Sequence, residues 1–274
     1  MSDRRTHKSR TSSVRAQTAR ASGAAVKAAA KKPAKKSANA ARSKTTARTK
    51  RVTAAPKAKA SEVAQRRAVI ATALAMSRTG LSPGRSGNVS CRWPGGMLIT
   101  PSGMAYDEIE PADIVFVADD GTVRPKSRKP SSEWQFHLSA YHARDDRHAV
   151  VHTHSLHATV LACAHKSIPA FHYMVAIAGG MDIPLVPYAT FGTKELADHV
   201  AKGLAERDAC LMANHGQIAI GATLNSALEL AQEVEILAEQ YSKVLTLGKP
   251  KLLSTAEMKV VLERFKGYGQ HAQD

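Results

Sequence analysis

His152 and His154 close an apolar run, Ala149-Val-Val-His-Thr-His154. Along a strand, residues i and i+2 share a face, so the two imidazoles point the same way, about one strand repeat apart. Taken alone, a His-x-His pair is more often packed or solvent-facing than metal-bound. Two other residues change that balance. Glu133 stands about twenty residues before the pair, and His215 about sixty after it, behind a second apolar run. Two histidines from one strand, one from a later strand and a carboxylate make a complete ligand set for a borderline-soft divalent ion such as zinc.

Three short segments could serve an anion beside that set: Gly87-Asn88, Ser102-Gly103 and Ser131-Ser132. Small residues in turns and helix starts present N–H and hydroxyl donors. Each alone is ordinary turn chemistry. Ser131-Ser132 adjoining Glu133 says more, because it puts a donor pair next to a candidate ligand or base. A zinc ion there would draw electron density from a ketone, so that an adjacent C–H or C–C bond breaks to leave an enediolate. Glu133 could carry the proton. The residues point to a metal-dependent lyase or isomerase acting on a small phosphorylated sugar. A zinc hydrolase is the competing reading, since zinc-activated water is also common.

The elements that must position these residues follow from punctuation and period. Ser61 is an N-cap for a helix ending at Gly80, with Val63, Ala64, Ala68, Ile70, Ala71, Leu74 and Ala75 on its apolar face. A glycine-bearing turn leads to a strand over Val89–Trp93, and Gly95-Gly96 signals a hairpin to Met97–Thr100. A strand follows over Asp113–Ala118. Ser131 or Ser132 caps a helix that runs to Ala143, then comes the strand 149–154 and a helix from Ser155. Phe171–Gly180 is apolar and Pro184–Tyr188 extended. Further on are a helix over Thr193–Ala205, a strand over Ala209–Ala213 that delivers His215, and its partner Gly216–Gly221. A long helix spans Leu224–Leu247 with Leu228, Ala231, Val234, Leu237 and Tyr241 inward. Ser254 to Glu257 is a capping box for the last helix. This order predicts a single α/β domain: layered, with a central, largely antiparallel sheet covered by helices.

The formal charge of +16 over 274 residues is unevenly placed. Residues 1–60 carry 18 Lys/Arg and one acid, a balance of +17, which leaves −1 for residues 61–274. The first 60 residues hold no aromatic side chain and read as a disordered Lys/Arg/Ala-rich tail. Such a tail suits contact with nucleic acid or another polyanion. A plain solvated extension, a start codon set too early and an organelle transit peptide are the other readings. Cys91, Cys163 and Cys210 are scattered without a Cys-x-x-Cys pair, which predicts free, buried thiols in a reducing compartment, the cytoplasm. No apolar run reaches the length of a membrane span, and no secretory signal pattern is visible.

Gly87-Asn-Val-Ser90, Leu98-Ile-Thr-Pro-Ser-Gly103, Pro130-Ser-Ser-Glu-Trp134, Val150-Val-His-Thr-His154, Pro187-Tyr-Ala-Thr-Phe-Gly192 and Asn214-His-Gly216 together resemble the class II aldolase/adducin family, over about residues 62–270. The resemblance implies a catalytic domain over 61–274 and retro-aldol cleavage of a ketose 1-phosphate, L-fuculose 1-phosphate or a close analogue, to dihydroxyacetone phosphate and an aldehyde. It implies one zinc per subunit on His152, His154 and His215, with Glu133 as resting ligand and catalytic acid/base. Gly87, Asn88, Ser102, Gly103, Ser131 and Ser132 would hold the phosphate. Tyr173 would reach across a subunit boundary and protonate the aldehyde oxygen, while Phe191 and Tyr268 shape the aldehyde side. A cyclic homotetramer with sites between subunits is implied as well.

One residue departs from the pattern. Arg85 stands where these aldolases carry a small hydroxyl residue, so it either strengthens phosphate binding or faces solvent, and the substrate stays open. The related pentulose-phosphate 4-epimerases carry Asp where Glu133 stands. Methylthioribulose-phosphate dehydratases share the His-Thr-His-Ser run but are less similar around Ser131–Trp134. Adducin-like binding modules lack the ligand set, so an intact set favours an enzyme.

Overall fold

The computed structural model describes residues 61–267. The expectations about residues 1–60 and Tyr268 lie outside the described residues. Among the described residues six α-helices and seven strands are interspersed. They are α1 (Glu62–Arg78), β1 (Asn88–Trp93), β2 (Gly96–Ile99), β3 (Val115–Ala118), α2 (Trp134–Ala143), β4 (Ala149–Thr153), α3 (Leu156–Cys163), β5 (Leu185–Val186), α4 (Lys194–Leu204), β6 (Ala209–Met212), β7 (Gly216–Gly221), α5 (Leu224–Leu247) and α6 (Thr255–Phe265). The strands form one sheet in the order β3-β2-β1-β4-β7-β6-β5. Every pairing is antiparallel except the short β5/β6 edge. This is the expected layered α/β domain with a largely antiparallel sheet.

Alternation divides the sheet between two cores. Val89, Cys91, Leu98, Val151 and Ala219 meet α1, α3 and α5. Met97, Ile99, Val150, Ile218 and Ile220 meet α2 and α4 on the other side. β4 is the middle strand and is buried over its whole length, Val151 and Val150 entering opposite cores. By the same parity His152 belongs to the α2 face, opposite Asn88 on one neighbour and Ile218 on the other.

Several local expectations need correction. The buried stripe of α1 is Val69, Thr72, Ala73 and Met76, while Val63 is half exposed. The alanines in α1 are small enough to face either way, so they do not mark its inner face. Neither Ser131 nor Ser132 caps α2. They lie in a turn in which Ser131 Oγ accepts from Glu133 N at 3.3 Å and Ser131 O accepts from Trp134 N at 3.1 Å, and Glu133 takes the cap position without capping. Ser254 Oγ accepts from Glu257 N at 3.1 Å, one half of the expected capping box. Cys163, at the end of α3, is exposed, whereas Cys91 and Cys210 are buried free thiols. Among the described residues no helix is long and apolar enough to cross a membrane.

Candidate metal centre and cavity

Four elements bring Glu133, His152, His154 and His215 together. β4 carries His152 and ends one residue before His154. The β6–β7 turn supplies His215, and the residue before it, Asn214, adopts a positive φ of 54°. Asparagine tolerates that left-handed conformation better than most residues. β7 then passes close to the histidines because residue 216 is glycine: a Cβ there would sit 2.4 Å from Thr153 O and 3.1 Å from His154 Cδ2. Glu133 projects from the start of α2.

One donor atom from each of the four residues lies within 4.8 Å of all the others, and the three imidazole centroids are 4.9 Å apart pairwise. Glu133 spans two rings, Oε1 at 2.9 Å from His215 Nε2 and Oε2 at 3.3 Å from His152 Nε2. His152 Nδ1 donates to Gln217 O at 2.7 Å, which leaves its Nε2 with a free lone pair. The Nε2 atoms of His152 and His154 are buried and have no hydrogen-bond partner. Buried polar atoms are seldom left so. Two orphaned imidazole nitrogens aimed at a third ring and a carboxylate are what a metal ion would satisfy, and the donor set fits a zinc-like ion.

The protonation states agree with ligation, which needs neutral imidazole and ionised carboxylate. Burial foremost, then the neighbouring His152 and His215, lowers His154 to about 4. Burial also lowers His215. Burial pushes the Glu133 carboxyl up, but the His152 and His215 rings outweigh it and hold the group well below the usual carboxylate range.

A cavity of about 460 Å³ opens beside the cluster. Its wall includes Gly87, Asn88, Ser102, Gly103, Ser131, Ser132, Glu133, His154, Phe191 and His215, and His152 is fully buried behind it. Two loops form the serine end. Ser102 N donates to Lys129 O at 2.9 Å and Ser131 N donates to Thr100 O at 3.0 Å. Gly87 N donates to Ser82 Oγ at 2.8 Å. These three expected backbone donors are therefore used within the chain, and the serine hydroxyls are left to meet a ligand. Asn88 also looks inward: Nδ2 donates to Glu133 Oε2 at 2.7 Å, which leaves one N–H of that amide. Among the described residues Arg85 is the one Lys or Arg in the wall, held by its Nη1 donating to Gly103 O at 3.0 Å.

Tyr173 is half exposed at the start of a 3-10 turn, Tyr173–Ala178, and is not part of this wall. Tyr188 and Asn214 are part of it, though sequence reasoning gave them no role. Both sit inside motifs already singled out, Pro187 to Gly192 and Asn214 to Gly216, and that adjacency was their only signal.

Residues 67–242 match the family described as Class II Aldolase and Adducin N-terminal domain. The chain belongs to the class II aldolase and adducin family. This aldolase is 51% identical over 213 residues to the 5-methylthioribulose-1-phosphate/5-deoxyribulose-1-phosphate aldolase of Rhodospirillum rubrum, covering 78% of this chain and 96% of that one. It is 48% identical over 209 residues to the L-fuculose phosphate aldolase of Escherichia coli K12, covering 76% and 97%. A solved L-fuculose 1-phosphate aldolase superimposes with a TM-score of 0.71 at 41% identity, covering 74% and 96%. Aldolases of this class are lyases, and so is this one.

Proposed function

We propose that this aldolase cleaves a ketose 1-phosphate to dihydroxyacetone phosphate and an aldehyde. The observation that carries this reading is Glu133, a buried carboxylate spanning His152 and His215 in the wall of a serine-lined cavity. Zinc, held by His152, His154, His215 and in the resting site Glu133, would supply Lewis-acid polarisation of the substrate carbonyl. The hydroxyls of Ser102, Ser131 and Ser132 and the spare N–H of Asn88 bind the phosphate, and Arg85 offsets its charge. That end of the cavity sets the carbonyl beside the histidines. When the C3–C4 bond breaks, the C4 hydroxyl gives its proton to Tyr173, which passes one on to solvent, and becomes the aldehyde. Glu133, ionised at rest, takes up a proton from solvent and delivers it to C3. Tyr173 lies outside its own chain's cavity wall and is exposed, which suits the role of receiving the C4 hydroxyl proton in a neighbouring subunit of a homotetramer.

L-Fuculose 1-phosphate is the first substrate to test. A second reading is a 5-deoxy or 5-methylthio ribulose 1-phosphate, favoured by the exposed rings of Tyr188 and Phe191 at the cavity wall, which suit an apolar tail. Turnover on a panel of these three, with dihydroxyacetone phosphate measured as product, separates them. Release of dihydroxyacetone phosphate from none of them would overturn the reading.

A further inference from the structure

A buried polar chain leads away from Glu133, and the reaction above leaves most of it without a role. β1 alternates, so Asn88 and Ser90 face α2 while Val89 and Cys91 enter the opposite core. At the start of α2 and along it, Glu133, His137 and Tyr141 fall four residues apart, on one stripe. Two residues of strand advance about as far as one helical turn, roughly 6 Å, so the two series interleave. Asn88 sits between Glu133 and His137, and Ser90 between His137 and Tyr141. Asn88 Nδ2 is 2.7 Å from Glu133 Oε2, and Asn88 Oδ1 is hydrogen-bonded to His137 Nε2. His137 Nδ1 is 2.7 Å from Ser90 Oγ, and Ser90 Oγ is 2.8 Å from the Tyr141 hydroxyl. His137 and Ser90 have no exposed surface.

The direction of every proton follows from one end. An ionised carboxylate only accepts, so Asn88 must turn its Nδ2 toward Glu133. Oδ1 then faces His137, whose Nε2 must carry the hydrogen. Nδ1 is left with a lone pair and accepts from the Ser90 hydroxyl. The Ser90 oxygen in turn accepts from Tyr141. No member can be reversed without setting lone pair against lone pair.

We propose that His137 is a positioning residue: by donating from Nε2 to Asn88 Oδ1 it fixes which way the Asn88 amide faces, and through that amide it holds the Glu133 carboxylate between His152 and His215. With the amide flipped, Oδ1 would confront the carboxylate and Glu133 would swing away from the two rings. The consequence for catalysis rests on the reading of Glu133 as the proton carrier. The orientation itself does not.

The test has two arms. In the first, His137→Leu removes the donor, and His137→Gln restores an N–H close to the Nε2 position. His137→Leu should lower kcat on the best ketose phosphate at least about tenfold, with a smaller rise in KM as the Asn88 N–H leaves the phosphate, and His137→Gln should recover most of both losses. On an Asn88→Ala background, His137→Leu should add nothing further to the loss in kcat, because its effect passes through that amide. Additive losses, or a loss that Gln does not repair, would overturn the proposal. The second arm needs neither turnover nor a stable variant. In full-length wild-type protein labelled with ¹⁵N-histidine, the His137 ring should appear as the neutral Nε2–H tautomer with a slowly exchanging proton. An Nδ1–H tautomer would overturn the assignment whether or not the protein cleaves sugars, while a wild type that cleaves no ketose phosphate would fail the functional reading alone.

Discussion

Glu133 separates ligand from acid/base. If it only bound metal, Glu133→Gln would lose activity in proportion to lost metal. As proton carrier it leaves the three histidines able to hold zinc, so the variant should keep its metal and lose about 10²–10⁴-fold in kcat. Proton exchange at C3 of dihydroxyacetone phosphate, which needs no aldehyde, should stop in Glu133→Gln and largely persist in Tyr173→Phe. Exchange at the normal rate in metal-loaded Glu133→Gln would assign the proton to another group. Arg85 makes a different contribution. It is the lone Lys or Arg of the wall among the described residues, so Arg85→Ser should raise KM for a phosphorylated ketose about tenfold, weaken inhibition by inorganic phosphate and spare kcat. An unchanged KM would show the guanidinium facing solvent. His137 adds a stability term. Burial foremost, together with His152, lowers its pKa from 6.5 to about 3. A base depressed on folding takes up its proton only in the unfolded chain between those values. Stability is then unaffected above about 6.5 and falls as the pH drops toward 3, by up to about 1.4 kcal/mol per unit. Between pH 7 and 5, metal-free wild type should lose about 2 kcal/mol more than metal-free His137→Gln in urea unfolding. Parallel losses would mean that His137 already titrates normally in the fold.

The site depends on elements that the sequence revealed unequally. The β6–β7 turn is tight because Asn214 takes a positive φ and Gly216 has no Cβ. Gly216→Ala would drive a methyl into Thr153 O and push β7 off β4 where His154 lies. That variant should bind zinc more weakly and lose about 1–3 kcal/mol of stability, measured by metal analysis and unfolding. Wild-type metal content at full stability would show that the backbone relaxes there. α5 was legible because most of its inward residues are large and recur at helical spacing: Leu228, Val234, Leu237 and Tyr241 are buried, with Ala231 among them. His152 and His154 were legible by a fixed period of two, although β4 ends one residue before His154. α1 was misread because half its supposed face is alanine, which carries little information about burial. The start of α2 was misread because Ser131 and Ser132 hydrogen-bond locally in a turn, as good capping residues also do. The start of α3 at Ser155 was legible, but the partner that satisfies its first amides was not. Its amides at His157 and Ala158 donate to the Glu235 carboxylate at 2.7 and 2.9 Å, a partner from α5 nearly eighty residues on. The Asn88–His137 link also joins distant residues, 49 apart, and neither of its periodic series means anything until strand and helix are laid together.

At the scale of the molecule, the charge balance changes a few residues before the family match begins. The family match begins at residue 67, and the relatives are covered over 96–97% of their own length by 76–78% of this chain. The sequence beyond the shared region is mostly the first 60 residues, which hold nearly all the excess positive charge, while residues 61–274 balance to −1. Among the described residues, none before Arg85 lines the cavity. The tail is therefore expected to be dispensable for chemistry and to act, if at all, by electrostatics. Deleting residues 1–58 should leave kcat/KM on the best ketose phosphate unchanged within about twofold. Polyanion binding should behave differently. Each Lys or Arg that neutralises a phosphate or sulfate releases a counterion, so retention of the full-length protein on heparin or DNA should weaken steeply with added salt, and the truncated protein should pass through at low salt. Salt-sensitive retention that survives truncation would move the anion surface onto the folded domain. A tenfold fall in kcat/KM would show instead that the tail reaches the active site, and the boundary drawn at residue 61 would be wrong.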